Sequence, residues 1–446
     1  MGDIRSHRRT ADDYAKAFAD LEPPLSRKAA IVEASRCLFC YDAPCVEACP
    51  TSIDIPRFIR GIQTDNVRGA AMTILDANIL GGTCARVCPT EILCEGSCVR
   101  LDQDHEPVMI GALQRYATDY LFERGEQPFT RAPATGRKVA VVGAGPAGLA
   151  CAHHLARLGH DVVIFEKKPK GGGLNEYGIA TYKMTNDFAQ REVDFLLSLG
   201  GIEIRHGVVL GMDVHVADLA EQYDAVFLGI GMGGTNALRI EGEELDGVMN
   251  AVVFIESLRQ AADKGELPIG RDVVVIGGGN TAIDMATQAK RLGAENVTIV
   301  YRRGVEHMGA TGYEQEVAQT NGVKIQLWAA PVRILGDGGR VAGIEFEYTR
   351  LDERGTLALT GERFVLPADQ VFKAVGQNLV AADLNGSAER LAMAGSKIAV
   401  DTDRRTSMPR VWAGGDATGL DQDLTVVAVE DGKIAARSIH SFLAGN

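Results

Sequence analysis

Lys138-Val-Ala-Val-Val-Gly143-Ala-Gly145-Pro-Ala-Gly148-Leu-Ala150 is the stretch from which the fold of this 446-residue chain is read. Residues 139–142 are an apolar run that suits a buried strand, the glycines suit a tight turn, and the residues after them open a helix. A glycine turn of this spacing is a weak sign alone. Here a second strand-like run, Val162-Val-Ile-Phe165, follows and ends in Glu166, 23 residues after Gly143. That is the place of a carboxylate that binds a ribose hydroxyl pair, while the glycines let backbone approach a pyrophosphate at a helix N-terminus. A dinucleotide-binding strand–helix–strand unit is expected. Its contacts are Gly143, Gly145, Ala147, Gly148, Glu166 and Lys167, with Gly173 and Leu174 in the next glycine-rich turn.

Downstream the pattern repeats. Asp272-Val-Val-Val-Ile-Gly277-Gly-Gly279-Asn280-Thr281-Ala282 is again strand, turn and helix start, 134 residues after the first. Its next strand, Asn296-Val-Thr-Ile-Val-Tyr301, ends in Arg302-Arg303 instead of an acid. Two such loops imply two dinucleotides, with Gly277, Gly279, Asn280, Thr281, Arg302 and Arg303 serving the second. The arginines would suit a 2′-phosphate, whereas nearby Glu306 would repel one. These residues leave NADH and NADPH both open. Late in the chain, Val411-Trp-Ala-Gly414-Gly415-Asp416-Ala417 is a strand and a turn, and a helix follows from Thr425. Asp416 can accept from a flavin's ribityl hydroxyls, and the helix N-terminus at Thr425 can stabilise negative charge on a reduced flavin ring.

Upstream of the first loop stand eight of the nine cysteines: Cys37, Cys40, Cys45, Cys49, Cys84, Cys88, Cys94 and Cys98. Disulfides suit small secreted domains, but the N-terminus is polar and carries no apolar leader core. Zinc sites usually pair two Cys-x2-Cys knuckles, and only Cys37 and Cys40 form one. Gaps of three to five residues, with Cys49-Pro50 and Cys88-Pro89, fit iron–sulfur clusters better. Spacing alone nominates all eight thiols as ligands, Cys84 included. Residues 1–130 show helical but no strand periodicity, and a turn-rich linker follows at 125–136.

Composition limits the alternatives. Apolar content of 46% and charged content of 24% are those of a globular protein. A net charge of −13 argues against a nucleic-acid surface, and no apolar run approaches the ~18 residues of a membrane span. A cytoplasmic protein is expected. No Ser-His-Asp or His-Glu-x-x-His signature occurs, and no catalytic acid or base is expected, because hydride passage between nicotinamide and flavin needs alignment only.

The arrangement resembles the glutamate synthase small chain and the N-terminal half of dihydropyrimidine dehydrogenase over essentially the whole chain. Two details favour the second family. Five residues, Pro-Thr-Glu-Ile-Leu, separate Cys88 from Cys94, where glutamate synthase small chains typically have three. The Cys40-Tyr-Asp-Ala-Pro-Cys45 loop is likewise similar to that of the dihydropyrimidine dehydrogenases, above all the small flavin-bearing subunits of the bacterial NAD-dependent enzymes. The resemblance implies an α + α/β chain: an N-terminal helical domain with two 4Fe–4S clusters (1–130), then an FAD-binding Rossmann-like domain (131–245 and 372–446) with an NAD(P)H-binding Rossmann-like domain (246–371) inserted in it. It implies Cys37, Cys40, Cys45 and Cys98 at one cluster, Cys49, Cys88, Cys94 and Gln114 at the other, and Cys84 as a structural thiol. It further implies an oxidoreductase of pyrimidine catabolism acting as electron-input subunit. A (β/α)8 barrel of about 250 residues has no room after the last helix, so an FMN- and iron–sulfur-bearing barrel subunit is the expected partner in a heteromer.

Overall fold

The computed structural model describes residues 9–380, 384, 391–419 and 422–445. The chain forms two packed units. One takes Glu22–Glu176, Asn186–Gly233 and Asn378–Asn446; the other takes Met1–Leu21, Tyr177–Thr185 and Gly234–Gln377.

The first unit begins as helices. Ser26, Asp54 and Asn66 each cap a helix by accepting a backbone N–H, opening Arg27–Ala34, Ile55–Gln63 and Val67–Ala77. Ile55, Phe58, Ile59 and Ile62 recur at the 3.6-residue period and are all buried. Burial of each side chain stabilises the module by about 2 kcal/mol. The helices Gly81–Val87 and Ile110–Arg124 complete it. Among the described residues no strand precedes Lys138.

The same unit then builds a five-stranded parallel sheet in the order Val411–Ala413, Ala225–Leu228, Lys138–Val142, Asp161–Glu166, Ile202–His206. The helices Pro146–Arg157 and Thr425–Leu443 pack so closely that a Cβ on Gly432 would stand 2.2 Å from the Ala147 carbonyl oxygen. Two consecutive histidines, His153 and His154, lie on the Pro146–Arg157 helix. Burial, with Arg157 and His154 adding to it, pushes the His153 imidazole down to about 3. Burial and the cations Arg437, Arg157 and Lys433 push His154 down to about 4. The unfolded chain, with histidine near 6.5, binds more protons than the folded one below that pH, so stability falls as pH drops from ~6.5. Each group is expected to cost on the order of 2 kcal/mol by pH 5. His153→Leu should lessen the drop in urea midpoint between pH 7 and pH 5; an unchanged drop would refute this assignment.

The second unit holds another five-stranded parallel sheet, ordered Val248–Asn250, Gln370–Lys373, Asp272–Ile276, Asn296–Val300, Lys324–Gln326. A three-stranded antiparallel sheet, Ala329–Asp337, Arg340–Leu351 and Leu357–Pro367, is attached to it. One expectation is corrected here. The first helix, Ala11–Ala17, does not join the cysteine module; Tyr14 and Phe18 lie in the core of the second unit, where the Tyr14 hydroxyl donates to the Leu292 carbonyl at 3.2 Å. The stretch 177–185 also packs in this unit, although it lies between residues of the first.

Candidate functional site

Four thiols converge first. Cys37, Cys40, Cys45 and Cys98 line one small cavity whose other walls include Pro44, Ile55, Ile59 and Val108. Between the first two cysteines Phe39 takes a left-handed φ of 54°, a turn that a bulky residue seldom adopts. Burial and the neighbouring Cys37, Cys98 and Cys40 push the Cys45 thiol up to about 12. Thiols that oppose one another's ionisation in a largely apolar cavity need a cationic group before all can be thiolates.

The second set adjoins it. A hydrogen bond to Cys84, burial, and the charges of Cys84, Cys94 and Cys49 raise the Cys88 thiol. Burial, Glu95, Cys49 and Cys45 raise Cys94. Cys49, Cys88 and Cys94 are thus neighbours, and Cys84 stands beside Cys88. Cys84 is buried and its sulfur accepts from Asn78 Nδ2 at 3.2 Å. Gln114, also buried, donates from Nε2 to the Gly81 carbonyl at 2.7 Å, on the first turn of the helix that ends before Cys88. The Cys98 sulfur accepts from Val108 N at 3.5 Å. Amide donors to sulfur of this kind tune iron–sulfur clusters. Cys151 is fully buried on the Pro146–Arg157 helix, apart from both sets.

At the first glycine loop, two glycines are demanded by the protein itself. Gly143 has φ 96° and a Cβ there would meet the Gly229 carbonyl oxygen at 2.4 Å; a Cβ on Gly148 would meet the Gly143 oxygen at 2.0 Å. Gly145, the N-cap of the Pro146–Arg157 helix, differs: its nearest neighbour, Gly173 Cα, is 3.9 Å away. The protein does not fill the space over Gly145, as a phosphate cradle requires. Glu166, 7% exposed, accepts from Ala144 N at 2.7 Å and Lys168 N at 2.8 Å, which sets its carboxylate against the loop. Lys167 is exposed, and Leu174 opens the short Leu174–Tyr177 helix. From the far end of the chain, Gly415 packs on Ala147, and the Thr425 hydroxyl donates to Asn175 Oδ1 at 2.9 Å. Asp416 lies on the Gly415–Ala417 turn. Burial, then the charges of Asp423 and Asp431, push its carboxyl up to about 6 despite Lys397. The structure therefore brings Gly143, Gly145, Ala147, Gly148, Glu166, Gly173, Asp416 and Thr425 around one helix N-terminus. Asn175, 3% exposed, belongs with them; nothing in its sequence surroundings marks it.

The second loop repeats the logic. A Cβ on Gly277 would stand 2.2 Å from the Ala374 oxygen, whereas nothing lies within 4 Å of one on Gly279. Asn280 and Thr281 open the helix Asn280–Leu292, and Asn280 Oδ1 is buried without a hydrogen-bond partner. Such an atom awaits a donor. Arg302 is exposed and Arg303 half-buried; Glu306 folds over Gly304 and pairs with His307 at 3.0 Å.

Residues 14–126 match the model of dihydropyrimidine dehydrogenase domain II, 4Fe–4S cluster, and residues 137–432 that of pyridine nucleotide-disulphide oxidoreductases. The NAD-dependent dihydropyrimidine dehydrogenase subunit PreT of Salmonella typhimurium is 37% identical over 95% of this chain and 97% of its own length. The glutamate synthase [NADPH] small chain of Escherichia coli is 35% identical over 96% of this chain and 94% of its own. In fold, Mycobacterium tuberculosis FprA covers 70% of the chain, with 85% of FprA matched, at a TM-score of 0.57 and 22% identity. Thioredoxin reductase of T. acidophilum covers 69%, with 99% of that chain matched, at 0.55 and 25%. The chain belongs to the pyridine nucleotide-disulphide oxidoreductases, as an NAD(P)H-dependent flavin and iron–sulfur enzyme of the branch that holds the PreT subunits and the glutamate synthase small chains.

Proposed function

We propose that this chain is the electron-input subunit of an NAD-dependent dihydropyrimidine dehydrogenase. Its partner would be an FMN-containing barrel subunit that interconverts uracil or thymine with their 5,6-dihydro forms. An FAD held by this chain would supply a centre that can accept the two electrons of a hydride and release them singly, as 4Fe–4S clusters require. The residues of the chain bind and align. Cys37, Cys40, Cys45 and Cys98 hold one cluster, and Cys49, Cys88, Cys94 and Gln114 the other. Residues 131–245 and 372–446 would hold FAD, with the amides around Gly145 suited to its pyrophosphate and Glu166 to its adenosine ribose. Asp416, whose carboxyl burial raises to about 6, would accept from the ribityl chain. Residues 246–371 bind NADH, with Gly279, Asn280 and Thr281 at the pyrophosphate and Arg302 and Arg303 beyond the ribose. The chain is read as cytoplasmic; no helix among the described residues is long and apolar enough to cross a membrane.

The observation that carries this reading is the cysteine module, with its five-residue gap between Cys88 and Cys94. The 35% identity to a glutamate synthase small chain favours a second reading, donation to an amidotransferase subunit. The purified chain is expected to oxidise NADH with artificial acceptors, more efficiently than NADPH, and to leave uracil untouched until a barrel subunit is added. Uracil reduction by the chain alone, or productive coupling only to a glutamate synthase large subunit, would overturn the proposal.

A further inference from the structure

One buried carboxylate has no part in the sites above. Glu192 lies on the Phe188–Leu197 helix and is 1% exposed. Its Oε1 accepts from Gly82 N and Thr83 N, both at 3.0 Å, and its Oε2 accepts from the Thr83 hydroxyl. These groups form the first turn of the Gly81–Val87 helix, whose own N-cap, Leu80, has no side-chain hydrogen bond to offer. The carbonyl of the same turn, on Gly81, accepts from Gln114 Nε2. The amide nitrogen of Gln114 is thereby engaged, and its side-chain oxygen is the atom it can present to a metal. At its other end this short helix runs into Cys88, whose N–H donates to the Cys84 carbonyl at 3.0 Å.

We propose that Glu192 is a positioning residue for the second cluster. It holds the first turn of the Gly81–Val87 helix from outside the cysteine module, and so sets the orientation of Gln114 and the placement of Cys88. This rests on the cluster reading proposed above. A carboxylate is a costly way to fill this space: burial pushes it up to about 7, against the Thr83 and Gly82 bonds and the Arg86 charge. Arg86 fastens the same helix, stacking 3.5 Å from the Phe188 ring centroid and pairing with Asp119 at 2.7 Å. The helix therefore has few ways to shift while Glu192 is present. Groups that orient metal ligands alter affinity and electronic properties without touching the metal.

The test compares Glu192→Ala and Glu192→Gln with the native holoprotein by iron and flavin content, low-temperature electron paramagnetic resonance after dithionite reduction, and the rate of flavin bleaching by NADH. The signal of the second cluster is identified as the one that Gln114→Ala alters. In Glu192→Ala that signal is expected to move in g-value or fall by about threefold or more, while the other cluster signal and the bleaching rate stay native. Glu192→Gln, whose oxygen can still accept from the two amides, should lie closer to native. If Glu192→Ala retains no iron, Glu192→Gln is judged in its place by the same selective change. Two unchanged signals, or two signals that fall together, would overturn the positioning role. A native chain without two cluster signals would instead overturn the cluster reading itself.

Discussion

Cys45→Ala is expected to purify with about half the iron of the native chain, and Cys84→Ala with all of it. Cys45 shares its cavity with Cys37, Cys40 and Cys98, so its loss opens one cluster and spares the set around Cys49, Cys88 and Cys94. Cys84 is the harder case. It is hydrogen-bonded to Cys88 and bonded by Asn78, a setting in which a thiolate is the commoner iron ligand. The family resemblance assigns the place to Gln114 instead. Iron analysis of Cys84→Ala and Gln114→Ala separates them, because only the true ligand's variant should fall to the level of Cys45→Ala. Half the iron lost from Cys84→Ala, with Gln114→Ala intact, would transfer the role to the thiol.

Lys183→Ala should destabilise the second unit by about 3–5 kcal/mol. Lys183 Nζ lies 2.7 Å from Asp284 Oδ1 and 2.6 Å from Glu314 Oε1, with its side chain 8% exposed. Burial alone would lower the ammonium, yet Asp284, Tyr182 and Glu314 outweigh it and keep the lysine protonated. Removing the cation leaves two carboxylates close together in a site with little water, and replacing one partner of a buried ion pair costs more than the pair contributes. Thermal or urea unfolding of Lys183→Ala and Lys183→Met, the second retaining bulk, measures the loss. A change below about 1 kcal/mol in both would show the site to be solvated, as exposed pairs are.

Much of the site was legible because its demands are local. Gly148 is required by the Gly143 carbonyl oxygen five residues before it, and Gly143 by its own left-handed φ of 96°, so this part of the glycine pattern is written contiguously. The Ile55–Gln63 helix was legible for the same reason: its cap and apolar period lie within nine residues. Asn175 and Glu192 were not legible. Each is a common polar residue on a helix, and its meaning lies in Thr425 or Thr83, far along the chain. The Ala11–Ala17 helix was misassigned because an amphipathic face shows that it is buried but not which core receives it.

By itself the sequence determined the parts: two dinucleotide loops, two cysteine groups and a helical module ahead of them. Backbone sterics and ligand spacing act over a few residues, so they leave a contiguous record. The tertiary structure alone decided the partnerships: Tyr14 and the 177–185 stretch in the second unit, Thr425 on Asn175, and Glu192 on the first turn of the Gly81–Val87 helix. A buried polar group must find its counterpart wherever packing brings one, and that choice is made in space, among elements a hundred or more residues apart.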